Sequence, residues 1–448
     1  MKYAKRIAAL ALACLIVFSL VPPVTAHAAA SNKAIAFLTN NGILKGYTSG
    51  NLGLKDKVTR EQFVTFLHRM AGEPGTSTKN SFNDMKGISN EYKRAINWAK
   101  DKGITTGEST TIFGVGGTLK NEEILTFLYR FGVMLYGANS QNMQATKTPG
   151  WIGSYSDWAK TAAKWAHTKG ITSGVYVNSG KDLCLRGDVA QLLYNFYKQF
   201  RKTYALVVST KMPDVYLSAN PNVRIMAAAL NKYMTKGSSV TTKCLISDGA
   251  QKAKEELTDA INNTFAKATC IDLCYFYINS HGKKDGLTIG RSRNVWLSPE
   301  NLYDLIKPYS AKFVVMIDAC YTEMFIDYFE EHKSKADLLV SAVCCTAGTT
   351  FFDNNGERLA IATRCWATVI NGDRSVYYLG EKEYVHLSVR FIGDSDGFIS
   401  IAELCNTTKG PINKIKSDCS AKTEECGQTI DVYFPENQPA YCAFGKLD

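Results

Sequence analysis

Outside residues 1–28 the chain of 448 residues has no apolar run of the roughly 20 residues that a membrane-spanning helix needs, so no membrane span is expected in the mature form. Charged residues are scarce at 21%, and the net charge is only +11, falling to +8 once Lys2, Lys5 and Arg6 are removed with the leader. An excess this mild over so long a chain suits an acidic polymer at least as well as nucleic acid, and no nucleic-acid partner is expected. Only Cys14 and Cys184 of the 13 cysteines precede residue 240, and no spacing among them follows a zinc pattern. His68, His167, His332 and His386 likewise stand without partners at ligand spacing. Hydrophobic residues, at 45%, are those of a globular chain.

The first segment reads as a leader, residues 1–28, and not as part of a fold. Lys2, Lys5 and Arg6 precede an apolar run from Ile7 to Leu20, Pro22 and Pro23 break it, and Ala26-His27-Ala28 offers a small-x-small cleavage pattern. Export is the expectation.

Residues 31–200 repeat themselves three times. Ala34, Ala95 and Ala162 open the copies; a glycine follows 8 residues later (Gly42, Gly103, Gly170) and another after 12 (Gly46, Gly107, Gly174). Each copy then runs through a Gly-rich loop into a second amphipathic helix, beginning at Arg60, Asn121 and Arg186. The glycines suit helix ends that turn through the left-handed region. This pattern resembles surface-layer-homology (SLH) repeats, which come in threes and hold exported bacterial proteins to pyruvylated cell-wall polysaccharide. Their hallmark is Thr-Arg-Ala-Glu at the start of the second helix, and Thr59-Arg60-Glu61-Gln62 comes nearest to it. The resemblance implies Arg60 as a wall-polymer-binding residue, its guanidinium taking a carboxylate at a helix N-terminus. Asn121 stands at the Arg position of the second copy, and Arg186 lacks the neighbouring motif, so unequal copies are expected.

From residue 203 to 448 strands alternate with helices. Strands are expected at Tyr204–Ser209, Thr241–Ile246, Leu273–Asn279, Phe313–Ile317, Leu338–Val343 and Gln428–Phe434, with helices near 222–235, 250–266, 298–308, 321–332 and 356–370. Such alternation implies a mostly parallel sheet covered on both faces, with reactive groups beyond the carboxyl ends of its strands. Two of those ends carry chemistry: Ser280-His281-Gly282 and Asp318-Ala319-Cys320. A thiol is a weak nucleophile until an imidazole favours its thiolate, and the same imidazole can protonate a leaving amine. A glycine leaves its N–H open to a developing oxyanion.

These two motifs, in this order, resemble the caspase-like superfamily of cysteine peptidases, which includes metacaspases and clostripain-type enzymes. The resemblance extends over residues 203–445 and implies a caspase-hemoglobinase-like α/β domain behind the all-α SLH domain. It implies His281 as general acid/base, Cys320 as nucleophile, and the N–H groups of Gly282 and Cys320 as oxyanion donors. Asp318 stands where metacaspase and clostripain branches carry the Asp of a pocket for a basic side chain, which implies cleavage of peptide or protein after Arg or Lys. The alternative for Asp318 is a cap on the helix that follows it. Lys211 to Leu217 lacks the acidic helix entry of relatives, and the segment after Cys344-Cys345 lacks their Phe-Thr helix start. No cofactor is required, although some relatives are activated by calcium. Asp394-Ser395-Asp396-Gly397 with Glu403 resembles the back of an EF-hand loop, but Ile392 occupies the first Asp position, and a Ser400–Glu403 capping box is favoured. Autocleavage near Lys333 or Lys335 fits the same family. The expectation is a secreted peptidase held at the bacterial cell wall; the alternative is a non-catalytic surface-layer protein with a vestigial caspase-like domain.

Overall fold

The computed structural model describes residues 30–47, 50–210, 221–291, 296–332, 339–345, 351–354, 357–379, 384–393, 396, 398–419, 430–433 and 442–444. The leader, Lys211–Leu217, Lys333, Lys335, Asp394, Ser395, Gly397, Gln428 and Thr429 lie outside the described residues.

Six helices build the repeats, two per copy: α1 (Asn32–Asn40) and α2 (Arg60–Met70), α3 (Asn90–Asp101) and α4 (Asn121–Tyr136), α5 (Asp157–Thr168) and α6 (Arg186–Phe200). Ser31 and Ser89 cap α1 and α3 by accepting amides of Ala34 and Tyr92, which satisfies donors the helix cannot pair internally. Gly42, Gly103 and Gly170 end the first helices at φ of 67°, 69° and 71°, the left-handed turn expected of them.

A ring of backbone hydrogen bonds joins the copies. Leu119 donates its N–H to Val58 O (3.0 Å), Val58 to Cys184 O (3.1 Å), and Cys184 to Leu119 O (3.0 Å). One step along, Arg60 N–H reaches Gly117 O, Asn121 reaches Asp182 O and Arg186 reaches Asp56 O, each at 2.9 Å. Every copy thus leans on the next and the third closes on the first. Phe37, Phe63, Phe131, Trp165 and Phe196 fill the centre.

The strands of the second half are β1 (Thr203–Thr210), β2 (Val240–Leu245), β3 (Leu273–Asn279), β4 (Gly282–Lys283), β5 (Gly286–Thr288), β6 (Trp296–Leu297), β7 (Lys312–Asp318), β8 (Leu339–Cys345), β9 (Phe351–Asn354), β10 (Glu357–Ala360), β11 (Ser375–Leu379), β12 (Tyr384–Ser388), β13 (Ile399–Ser400), β14 (Ile430–Tyr433) and β15 (Cys442–Phe444). Among the described residues six of them form the main sheet, in the order β14-β8-β7-β3-β1-β2. All neighbours run parallel except β14, which pairs antiparallel with β8. Side chains alternate. Tyr275, Tyr277, Val314 and Met316 face helices α7 (Pro221–Asn231), α11 (Ile361–Asn371) and α12 (Ile401–Cys419). Cys274, Phe276, Ile278, Val315 and Ile317 face α8 (Ala250–Phe265), α9 (Pro299–Ile306) and α10 (Glu323–Glu331). Every residue of β3 and β7 is buried, the mark of a parallel sheet covered on both sides.

The observed strands agree with the expected ones to within a few residues. Two helix starts differ. Residues 357–360 pair as a strand with Phe351–Asn354, so α11 begins only at Ile361. Tyr321, at φ 53°, breaks the chain after β7, so α10 begins at Glu323.

The two halves touch. Phe398 is buried in the core of the repeats, 5.5 Å from the Phe37 ring, and Asn40 donates to the Asp396 carboxylate. Lys312, buried at the start of β7, donates to the Tyr197 hydroxyl at 3.3 Å.

Candidate active site at the ends of two parallel strands

Register sets the geometry. β3 and β7 pair so that Asn279 lies opposite Asp318, and His281 and Cys320 follow two residues later on each chain. The contact beyond that pair is closer than a side chain allows. A Cβ built on Gly282 would fall 1.8 Å from Cys320 O and 3.1 Å from Cys320 N. Only glycine fits against the backbone of Cys320.

A small hairpin sheet steadies the histidine. Gly282 and Lys283 pair with Leu287 and Gly286, Thr288 donates its N–H to His281 O at 2.8 Å, and Ser280 Oγ donates to Thr288 O. Ser280 N–H also reaches Asp318 O (3.3 Å), tying the two strand ends directly. His281 is half-buried as a residue, with Nε2 turned inside.

Exposure separates Cys320 from four buried thiols, Cys184, Cys274, Cys365 and Cys405, though Cys244 and Cys270 are partly exposed as well. Among the described residues Cys184, Cys274 and Cys365 are buried thiols, and burial pushes each one up, Cys365 to about 12, so none ionises at neutral pH. Cys320 is partly exposed at a strand end. After it the chain takes the strained left-handed turn at Tyr321, whose side chain reaches solvent, and then enters α10 through the buried Thr322.

Asp318 is fully buried. One carboxylate oxygen accepts the Thr363 N–H (3.0 Å) and the Thr363 hydroxyl, in the first turn of α11. The carboxylate therefore caps a helix, though a distant one and not the α10 that follows it in sequence. Tyr277 OH bonds the same Thr363 hydroxyl. Asn279 Nδ2 donates to Asp318 O (3.0 Å), Asn222 Nδ2 donates to Asn279 Oδ1, and Ala360 N–H donates to Asn222 Oδ1 (2.9 Å). This buried network under the strand ends joins residues far apart in sequence, so local pattern does not foretell it. Its one visible signal was Asn279, a polar residue ending an otherwise apolar strand on the face of Tyr275 and Tyr277.

Arg60 lies 6% exposed between the first and second copies. Its Nε donates to Phe113 O (2.8 Å), its Nη1 donates to the Glu123 carboxylate (3.0 Å), and its guanidinium carbon lies 5.3 Å and 5.4 Å from the centres of the Phe113 and Phe127 rings. Much of its fork is thus engaged within the protein. It lines a cleft of 170 Å³ with Glu108, Glu123, Arg130 and the exposed Trp158. The equivalent Arg186 reaches back to Leu52 O, Lys45 O and Gln62 of the first copy, and Asn121 reaches Ser179 O of the third.

At the far loop, Ser400 N–H donates to Glu403 Oε2 (2.8 Å) and Glu403 N–H to Ser400 Oγ (3.1 Å), the capping box expected at the start of α12. Among the described residues no three His, Cys, Asp or Glu side chains cluster as metal ligands, and no helix is long and apolar enough to cross a membrane.

The model of the S-layer homology domain matches residues 24–64 and 81–120, the first two of the three copies. No curated protein matches the sequence. Sixty-one chains of solved structures match, among them the structure of pro-Sf-caspase-1. That chain is 13% identical with a TM-score of 0.32, and the likeness covers 52% of this chain and 92% of that one. So slight a likeness carries no argument about the chemistry. What stands is an N-terminal helical region of S-layer-homology type joined to a mixed α/β domain with a parallel core sheet.

Proposed function

We propose that this protein is an exported cysteine endopeptidase held at the bacterial cell wall by its repeats. The observation that supports it most is the contact of Gly282 with the Cys320 backbone, at two strand ends in register, where an imidazole and a partly exposed thiol share one sheet edge. In this reading His281 takes the thiol proton and the Cys320 sulfur attacks the peptide carbonyl carbon. The oxyanion formed is met by the N–H groups of Gly282 and Cys320. His281 then gives its proton to the leaving amine, and water attacks the thioester to free the acid and the thiol. Asp318, a carboxylate fixed by α11, supplies negative charge for an Arg or Lys side chain before the cleaved bond. Arg60 and its cleft take an acidic group of the wall polysaccharide. These steps call on no cofactor, and calcium is assigned no part in them.

The test is turnover of Arg, Lys and Asp fluorogenic peptides by the full chain and by Cys320→Ala. Loss of at least ~1,000-fold in kcat/KM on the basic peptides is the expected result for removing a nucleophile. Unchanged turnover in Cys320→Ala would remove the thiol from the mechanism, no turnover by the full chain would leave a binding module, and preference for Asp would remove the role of Asp318.

A further inference from the structure

The third repeat departs from the second around its Gly-rich loop, and the departure opens a cleft. In the second repeat the space between the end of α3 and the Gly-rich loop is filled. The Phe82 and Phe113 rings pack 5.8 Å apart, and the Lys100 ammonium sits 4.2 Å from the Phe82 ring. The Asp84 carboxylate accepts the amides of Phe113, Gly114 and Val115 at 2.8–2.9 Å. A Cβ on Gly107 would fall 2.7 Å from the Phe82 ring.

Counted from the shared alanine, glycine and helix-start positions, the third repeat has Pro149 for Phe82, Trp151 for Asp84, His167 for Lys100 and Asn178 for Phe113. Its loop is two residues shorter, and a Cβ on Gly174, the partner of Gly107, would meet nothing within 4 Å. The aromatic pair is gone. In its place Lys147, Trp151, His167, Thr168, Ser173 and Asn178 line an open cleft of 430 Å³. Its walls are braced. Trp151 lies between His167 (5.9 Å, edge-on) and Tyr155 (5.1 Å), Lys147 N–H donates to Thr168 Oγ1 (2.9 Å), and Ser154 Oγ donates to Asn178 O (2.9 Å).

We infer that this cleft is a saccharide-binding site, separate from the one at Arg60, with which it shares no lining residue. A fixed indole offers an apolar platform for the C–H face of a pyranose. Thr168, Ser173 and Asn178 line the same cleft and bring two hydroxyls and an amide to it, the polar complement usual in a small-ligand pocket. Lys147 in the lining favours an acidic sugar. The wall-anchor reading supplies the source of such a sugar, and the inference rests on it to that extent.

Saturation-transfer NMR on the full chain with glucuronic acid and with the N-acetylglucosamine disaccharide tests the site. Binding is expected, tighter for the acid, weakened at least tenfold in Trp151→Ala and in Asn178→Phe, which restores the aromatic filler of the second repeat. Lys147→Ala should erase the preference for the acid. Thermal melts of both cleft variants at the wild-type temperature exclude unfolding. No saturation transfer from either sugar, or transfer that survives both substitutions, overturns the inference. Wall pelleting that is lost in Arg60→Ala but intact in Asn178→Phe, with no sugar bound at the cleft, would refute this site and leave the anchor standing.

Discussion

Gly282→Ala adds one carbon and tests the geometry at its tightest point. The new Cβ would fall 1.8 Å from the Cys320 carbonyl oxygen, which belongs to backbone and not to a side chain that can swing away. Restoring an ordinary van der Waals contact requires the two strand ends to part by more than ~1 Å. The parting is resisted by the Ser280 N–H to Asp318 O bond and by the Thr288 N–H to His281 O bond. Overpacking of this kind costs about 1–3 kcal/mol of stability, and the loss of one or both braces adds ~1 kcal/mol each. The effect on chemistry should be larger than the effect on folding, since a misplacement of ~1 Å between reacting groups lowers rates by about 100-fold. Urea unfolding followed by far-UV circular dichroism gives the first quantity. Labelling of Cys320 by an Arg-based thiol-reactive probe, and kcat/KM on an Arg peptide, give the second. A variant that stays folded, with labelling and turnover within threefold of wild type, would show that the His281–Gly282 turn and Cys320 do not act together.

Tyr321 holds a left-handed φ of 53° beside the proposed nucleophile. Tyr321→Gly should raise the urea midpoint, by the equivalent of about 1 kcal/mol, whereas Tyr321→Val should lower it; a Val variant as stable as the Gly variant would refute the strain. Acid should loosen the second repeat. Burial opposes ionisation of Asp84, yet the amides of Phe113, Val115 and Gly114 outweigh it and hold the carboxyl below its usual range. A carboxyl depressed on folding stabilises the protein above its unfolded pKa, and that stability is lost as the pH falls through the folded value. Melting temperature should therefore decline below about pH 4, with a shallower decline in Asp84→Asn; an identical acid limb in the variant would remove Asp84 from the account.

Local pattern made much of this protein legible. The spacing of Ala and Gly fixed three helical copies, because a helix end that turns through the left-handed region favours glycine. Runs such as Leu273–Asn279 could be read as strands because a sheet covered on both faces demands apolar residues without alternation. His281 and Cys320 stood out because each closes such a run. Local pattern failed at 357–360, where Glu357, Arg358, Leu359 and Ala360 run straight into α11 in sequence but pair as a strand with Phe351–Asn354. It failed again over Asp318, whose helix-capping partner Thr363 lies 45 residues away.

The sequence by itself determined how many repeats there are, the order of the strands along the chain and which residue types end them. Tertiary structure alone decided that Val58, Leu119 and Cys184 close a ring. It also decided that Arg60 turns toward Glu123, and that one Gly-rich loop is packed shut by Phe82 and Phe113 while its counterpart stays open. Periodicity records what each element must bury. Hydrogen bonds and packing between distant elements depend on which surfaces meet, and that is settled only when the whole chain has folded.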